Sequence, residues 1–359
     1  MKTHPSWVLE KQRRYRLLQK HGYKDLKKLG EGAFGAVYSA VDSRTPEVVV
    51  KVMSSEKKDP RNTLNCHQNE ITVLEALKEK THCQDTLCLM DSLVDGHYTF
   101  LIYTWIPDSI SLDKYVELYK TDETYTLDFT PAFLLIAKGL EILHKVKIVH
   151  NDIKPENIML VVEQAYPPDQ PPPDQLAYFI DFGLACHPTG EKCPCFRDGG
   201  TPSYMAPELL KHAISYSVEW TFEMLKQCDV FSLGVVFYQL RHNMQFPVKD
   251  VASLIQEWEQ RVPDFGGRRL STNVRENYYL GIDILIEMML KPKDRPTMSR
   301  VVHILESLNM LSELEDEIIP KSRDIFKELT LDTWISKQRR NTLDVHIPHK
   351  TQSRLIRTV

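Results

Sequence analysis

The sequence predicts an α+β chain in two lobes, a small antiparallel sheet with one main helix followed by a larger, mainly helical part. Three observations carry this. From Tyr23 to Met53, short runs of β-branched and aromatic residues alternate with glycine and charged turns, the pattern of a small sheet. Between Asn65 and Lys80, Ile71, Leu74 and Leu77 fall on one helical stripe. Beyond Ser111 most of the hydrophobic periodicity is helical.

Taken in order, residues 1–22 form a basic extension in which Trp7, Leu17 and Leu18 stand among arginines. A helix packed on the small lobe suits this pattern, and so does a cationic amphipathic segment for a membrane surface or a calmodulin-like partner. Val48-Val49-Val50-Lys51 is a β-branched strand, and residues 97–106 form a buried strand closed by Pro107. Helices are expected over Leu112 to Tyr119, Pro131 to Lys145, Val230 to Leu240, Val251 to Glu259, Tyr278 to Leu290 and Met298 to Leu308. The resulting division is a first lobe at 23–103, a hinge at 104–107, a second lobe at 108–308 and a C-terminal extension at 309–359 with a basic tail. Gln164 to Gln175 carries five prolines and is expected as an extended surface loop; Pro168 and Pro171 have the spacing that a polyproline-binding groove reads.

Composition supports a globular enzyme: 42% hydrophobic and 26% charged residues over 359 positions allow a sizeable core. No apolar run approaches the roughly 20 residues of a membrane span, and the N-terminus lacks the apolar region of a signal peptide. A soluble intracellular protein, cytoplasmic or nuclear, is expected, with its seven dispersed cysteines reduced. The net charge of −4 hides an asymmetry: residues 1–30 hold nine Lys/Arg against two acids, and residues 337–359 six against one. These ends suit an acidic partner or a membrane surface, or serve only as solvated ends; no motif implies specific nucleic-acid recognition.

The chemistry is carried by ordered motifs. Leu29-Gly30-Glu31-Gly32-Ala33-Phe34-Gly35-Ala36-Val37 has the G-x-G-x-x-G spacing that lets backbone amides approach phosphate oxygens. A β-rich stretch follows it, so a hairpin over a nucleotide fits better than the opening of a dinucleotide-binding helix. Lys51 ends a strand 21 residues beyond Gly30 and needs an anion to orient it. Glu70, on the helix 19 residues later, fills that need, with Glu75 as the alternative. Next comes Ile148-Val149-His150-Asn151-Asp152-Ile153-Lys154-Pro155-Glu156-Asn157-Ile158-Met159, followed by Phe179-Ile180-Asp181-Phe182-Gly183.

These segments resemble the eukaryotic-type protein kinase family, of the serine/threonine sort, from about Tyr23 to Leu308. The resemblance implies the two-lobed kinase fold and transfer of the γ-phosphate of ATP to protein hydroxyls, with Mg2+ or Mn2+ as cofactor. A catalytically weak or inactive scaffold is the alternative. By resemblance, Asp152 accepts the substrate proton, Lys154 neutralises the transferring phosphate, and Asn157 and Asp181 hold the metal. The hairpin residues Leu29 to Val37, with Val49, Lys51, Glu70 and Met159, bind the nucleotide, and Val37, Val49 and Met159 enclose adenine. Leu74, His150 and Phe182 match the family's regulatory stack. Gly200-Thr201-Pro202-Ser203-Tyr204-Met205-Ala206-Pro207-Glu208 resembles the end of an activation segment, and Arg295 is implied as the partner of Glu208.

The sequence also departs from the family. Asn151 stands where members switched on by loop phosphorylation have Arg, so activity without a loop phosphate is expected. Asn157 to Asp181 is longer than usual by the proline-rich loop, and Ile214 to Gln227 forms an extra segment. The gatekeeper is Tyr103, or Ile102 if the strand register shifts by one, with backbone groups of Thr104 and Ile106 for adenine. Cys186, His187, Cys193 and Cys195 lie together, as a metal set, a redox sensor or plain loop residues. Glu156 suits a substrate with a basic residue before the phosphoacceptor, and Arg339-Arg340-Asn341-Thr342 makes Thr342 a candidate autophosphorylation site.

Overall fold

The computed structural model describes residues 6–32, 35–42, 47–55, 60–82, 86–107, 109–120, 129–161, 177–188, 200–215, 220–243, 274–291 and 294–312. The segments 164–175, 189–199, 251–259 and 313–359 lie outside them. Readings of the proline-rich loop, Cys193, Cys195, the helix expected at Val251 to Glu259, and Thr342 therefore have no structural counterpart.

The first lobe is a five-stranded antiparallel sheet built from β1 (Lys24–Gly32), β2 (Gly35–Val41), β3 (Val48–Ser54), β4 (Leu89–Asp95) and β5 (Tyr98–Thr104). Their order is β1-β2-β3-β5-β4. Strand alternation sends side chains to two different cores. Val48, Val50 and Val52 of β3 join Tyr98, Phe100 and Ile102 of β5 on the outer face. Met53, Leu101 and Tyr103 face the inner side, with Val49 packed against that core.

A helix covers each face. On the outside, α1 (Ser6–Lys20) buries Leu18 completely and packs Tyr15 and Leu17 against the sheet. The Tyr15 ring meets Tyr38 edge-on at 5.4 Å. This is the small-lobe packing expected for the basic extension. On the inside, α2 (Pro60–Lys80) buries Ile71, Val73, Leu74 and Leu77, the expected stripe together with Val73.

Beyond β5 the chain forms a short antiparallel sheet, β6 (Ser109–Ser111), β7 (Ile158–Val161) and β8 (Ala177–Phe179), in that order. The helices are α3 (Leu112–Lys120), α4 (Thr130–Lys145), α5 (Pro207–Ser215), α6 (Phe222–His242), α7 (Val274–Leu290) and α8 (Met298–Ser312). Of the segment expected between Ile214 and Gln227, Ile214 and Ser215 end α5 and Phe222 to Gln227 begin α6, while residues 216–219 lie outside the described residues. α6 is the buried axis of this lobe: its Phe237 stacks on Phe133 of α4 with ring centroids 4.0 Å apart. Its start is capped by the Thr221 hydroxyl, which accepts from the Met224 amide at 3.3 Å. Gly234 lets α6 and α7 approach closely, since a Cβ there would lie 2.9 Å from Cβ of Met289.

Candidate active site

The site lies where the small sheet, α2 and the loop between α4 and β7 converge. Lys51 sits on the inner face of β3, nearly buried, and donates to Glu70 Oε1 at 2.6 Å and to Asp181 Oδ1 at 2.7 Å. Glu75, the alternative partner, is exposed on the other side of α2. Burial alone would lower the pKa of Lys51, but Glu70 and Asp181 outweigh it and hold it above the ordinary lysine value. Burial is also the largest influence on Asp181, and Lys51 outweighs it, so this carboxyl sits below its usual range. Glu70, enclosed more completely, is held above the usual range by burial.

Tyr103 shares this inner face, and its hydroxyl reaches Glu70 Oε1 at 3.5 Å. Ile102 lies in the outer core, so the register places Tyr103 at the back of the cleft. The Thr104 amide is occupied, donating to the Cys88 carbonyl at 3.2 Å. Val37, Val49 and Met159 are half-buried.

The glycine-rich segment is a hairpin, with Glu31 opposite Ala36 and Gly32 opposite Gly35. Gly35 has φ of +153°, and a Cβ there would lie 2.3 Å from the Val52 carbonyl oxygen, so only glycine fits. Leu29 and Gly30 lie exposed on β1. Ala33 and Phe34 lie outside the described residues.

Below the cleft, the segment Asp152 to Asn157 brings four side-chain groups together. Asp152 Oδ2 accepts from Lys154 Nζ at 2.7 Å and from Asn157 Nδ2 at 3.0 Å, while Oδ1 accepts from the Thr201 hydroxyl at 2.8 Å. Lys154 also donates to Thr201 Oγ1 at 2.9 Å. Asn157 Nδ2 donates further to the Asp152 carbonyl at 2.8 Å, which leaves the Asn157 oxygen as the acceptor end of the amide. Asp181 is held in a left-handed conformation, φ 65°, a strained setting typical of functional positions. Asp181 and Asn157 together supply a carboxylate and an amide oxygen, the hard donors that Mg2+ or Mn2+ takes alongside phosphate oxygens.

Three supporting contacts hold this set in place. Leu74, His150 and Phe182 are fully buried in one core, His150 and Phe182 with ring centroids 5.2 Å apart. The Asn151 side chain donates to the Leu184 carbonyl at 3.0 Å, tying the Asp152 to Asn157 segment to the residues after Gly183. Arg295 and Glu208 form the expected two-pronged pair, Nη1 to Oε1 and Nη2 to Oε2, the latter at 3.1 Å.

Sequence reasoning missed the anchor beneath the loop. The buried Asp229 carboxylate accepts from the amides of His150 at 2.8 Å and Asn151 at 2.9 Å, and bonds His144 Nε2 at 3.1 Å. The only signal was an acid in an otherwise apolar helix, Asp229-Val230-Phe231. Reduced thiols were expected throughout, but Cys88 and Cys186 are each disulfide-bonded. Cys186 is therefore not a thiolate metal ligand, and His187 instead lies 2.7 Å from Lys80 Nζ. Among the described residues, no group of three or more His, Cys, Asp or Glu side chains is arranged to hold a metal by itself.

Residues 23–305 match the protein kinase domain family. The chain belongs to that family. Relatives include a probable LRR receptor-like serine/threonine-protein kinase of Arabidopsis thaliana, 29% identical over 80% of this chain and 27% of that protein. A receptor-like kinase of the same plant is 27% identical over 78% of this chain and 31% of its own length. Calcium-dependent protein kinase 4 of Plasmodium berghei is 30% identical over 61% of this chain and 37% of its own. The chain thus spans about a quarter to a third of the length of these relatives. No helix among its described residues is long and apolar enough to cross a membrane.

Proposed function

We propose that this protein kinase domain transfers the γ-phosphate of ATP to serine or threonine hydroxyls of protein substrates. The observation that carries the reading is the Asp152 carboxylate, fixed by Lys154, Asn157 and Thr201 below a Lys51 that joins Glu70 to Asp181. Asp152 accepts the proton of the attacking hydroxyl as its oxygen bonds to the γ-phosphorus and the bond from that phosphorus to the bridging oxygen breaks, releasing ADP. Lys154 places a cation beside the transferring group, and Lys51 presents an ammonium to the phosphates from the sheet side. Preorganised charges of this kind stabilise a transition state that spreads negative charge over phosphoryl oxygens. Asn157 and Asp181 would hold Mg2+ or Mn2+, which neutralises phosphate charge when bound. Amides of the hairpin at Gly30 to Gly35 would cover the phosphates, with Leu29, Val37, Val49 and Met159 around adenine. The carbonyl of Thr104 and the amide of Ile106 would meet the base edge, with Tyr103 as gatekeeper.

Comparison of wild type and Asp152→Asn, with ATP-Mg and a mixed peptide panel, tests this. Loss of the base should lower the rate by about 10²–10⁴. Nucleotide binding without transfer by wild type would sink the catalytic reading in favour of a scaffold.

The finer readings follow from the same site. Asn151 joins catalytic loop to Leu184 without a charge, which supports activity with no phosphorylated loop. Loss of activity on phosphatase treatment would refute it. Exposed Glu156 supports a preference for a basic residue near the phosphoacceptor, and Glu156→Ala should flatten that preference across the panel. Lys11, Arg13 and Arg16, exposed on α1, support contact with an acidic partner or membrane surface. A cytoplasmic or nuclear setting goes with ATP as donor, while the disulfide-bonded Cys88 and Cys186 go with an oxidising one, and fractionation of the tagged chain decides between them.

A further inference from the structure

α1 lies before residue 23, where the family match begins, so it is an addition to the shared domain. Its packing is specific. Glu10 accepts from the Tyr98 hydroxyl through both oxygens, at 3.0 and 2.9 Å, and Tyr15 donates to the Leu26 carbonyl at 3.3 Å. Leu18 is fully buried against the sheet. Between these contacts the Arg14 side chain is 8% exposed, its Nε donating to Glu10 at 3.1 Å and its Nη1 to Glu31 Oε1 at 3.0 Å. Glu31 is the residue before Gly32, opposite Ala36 across the hairpin. Lys28 is its other partner.

The consequence is mechanical. A glycine-rich hairpin has few side chains with which to hold its own height above a ligand, and Glu31 is the side chain nearest its tip on β1. Arg14 connects that side chain to a helix whose own position is set by Leu18, Tyr15 and Glu10. We propose that Arg14 is a positioning residue for the nucleotide-covering hairpin, acting through Glu31, and so sets retention of ATP rather than the chemical step. The proposal rests on the phosphotransfer reading above.

The test uses the full chain with Arg14→Ala, Glu31→Ala, the double variant, and Lys20→Ala as control, since Lys20 pairs with Asp95 at the far end of α1. Arg14→Ala and Glu31→Ala should each raise KM for ATP about threefold to tenfold, the range of one lost hydrogen bond of ordinary strength at this half-exposed pair, with kcat unchanged. The double variant should be no worse than the more affected single, because the two act as a unit. In the nucleotide-free protein the amides of Gly30, Glu31, Gly35 and Ala36 should exchange faster in both singles, and Lys20→Ala should match wild type. Glu31 is half-exposed, so Glu31→Ala remains informative if Arg14→Ala does not fold. Unchanged KM and exchange, or additive effects, overturn the proposal. Faster exchange in a protein whose wild type transfers no phosphate supports the clamp and refutes the phosphotransfer reading instead.

Discussion

Lys51–Glu70 and Arg295–Glu208 are both ion pairs with a buried cation, yet they are built in opposite ways, and Glu208 is the one carboxylate of the two that stays partly exposed. Lys51 offers one ammonium, shared between Glu70 and Asp181 at 2.6 and 2.7 Å. Arg295 offers a fork: two nitrogens meet the two oxygens of Glu208, Nε donates to the Lys291 carbonyl at 2.6 Å and Nη1 to that of Gln227 at 3.0 Å. The ring of Phe231 lies 4.9 Å beneath. A point charge on a flexible stem can exchange one anion for another, whereas a planar fork with main-chain contacts has a single geometry. The first arrangement suits a place where phosphates arrive; the second suits a segment that must stay still.

The contrast can be broken experimentally. Lys51→Met should lower phosphotransfer by about 10²–10³ while changing the melting temperature little, as measured by kcat and calorimetry. Glu70, whose pKa burial already raises, can take up a proton instead of remaining a bare buried charge. Arg295→Ala should do the reverse of this in stability, losing about 3–5 kcal/mol in urea unfolding, with Arg295→Lys recovering only part. Equal losses in the two variants would erase the distinction. The helix behind Arg295 is as unyielding: Gly234→Ala, pressed on Met289, should cost about 1–3 kcal/mol by overpacking, read from the same unfolding curves.

The smallest effect is a pH dependence within the Lys51 cluster. Asp181 has a lowered folded pKa, so its contribution is present above the unfolded value of about 3.9 and lost as pH falls through the folded one. The stability difference between wild type and Asp181→Asn should therefore shrink on acidification below about pH 3.9. Urea midpoints measured against pH check it.

Much of the site was legible because its parts are local. Asp152, Lys154 and Asn157 fall within six residues, and the hairpin and the strand ending in Lys51 are continuous runs. Glu70 could be chosen over Glu75 because the helical stripe placed only one of them inward. The choice between Tyr103 and Ile102 was not legible: adjacent strand residues point to opposite faces, and only pairing of β3 with β5 says which face is inner. Asp229 escaped because a carboxylate that receives two main-chain amides leaves no periodic trace. The disulfides at Cys88 and Cys186 escaped because spacing does not specify pairing.

By itself the sequence determined the two-lobed class, the order of the motifs and the chemical type of the groups they carry, since periodicity and chemical type are properties of short segments. Tertiary structure alone decided which distant groups meet. Lys51 and Asp181 stand 130 residues apart, Arg14 and Glu31 belong to different elements, and Arg295 reaches back to Glu208. Those meetings depend on how helices and strands pack, which is a property of the whole core and of no single stretch of chain.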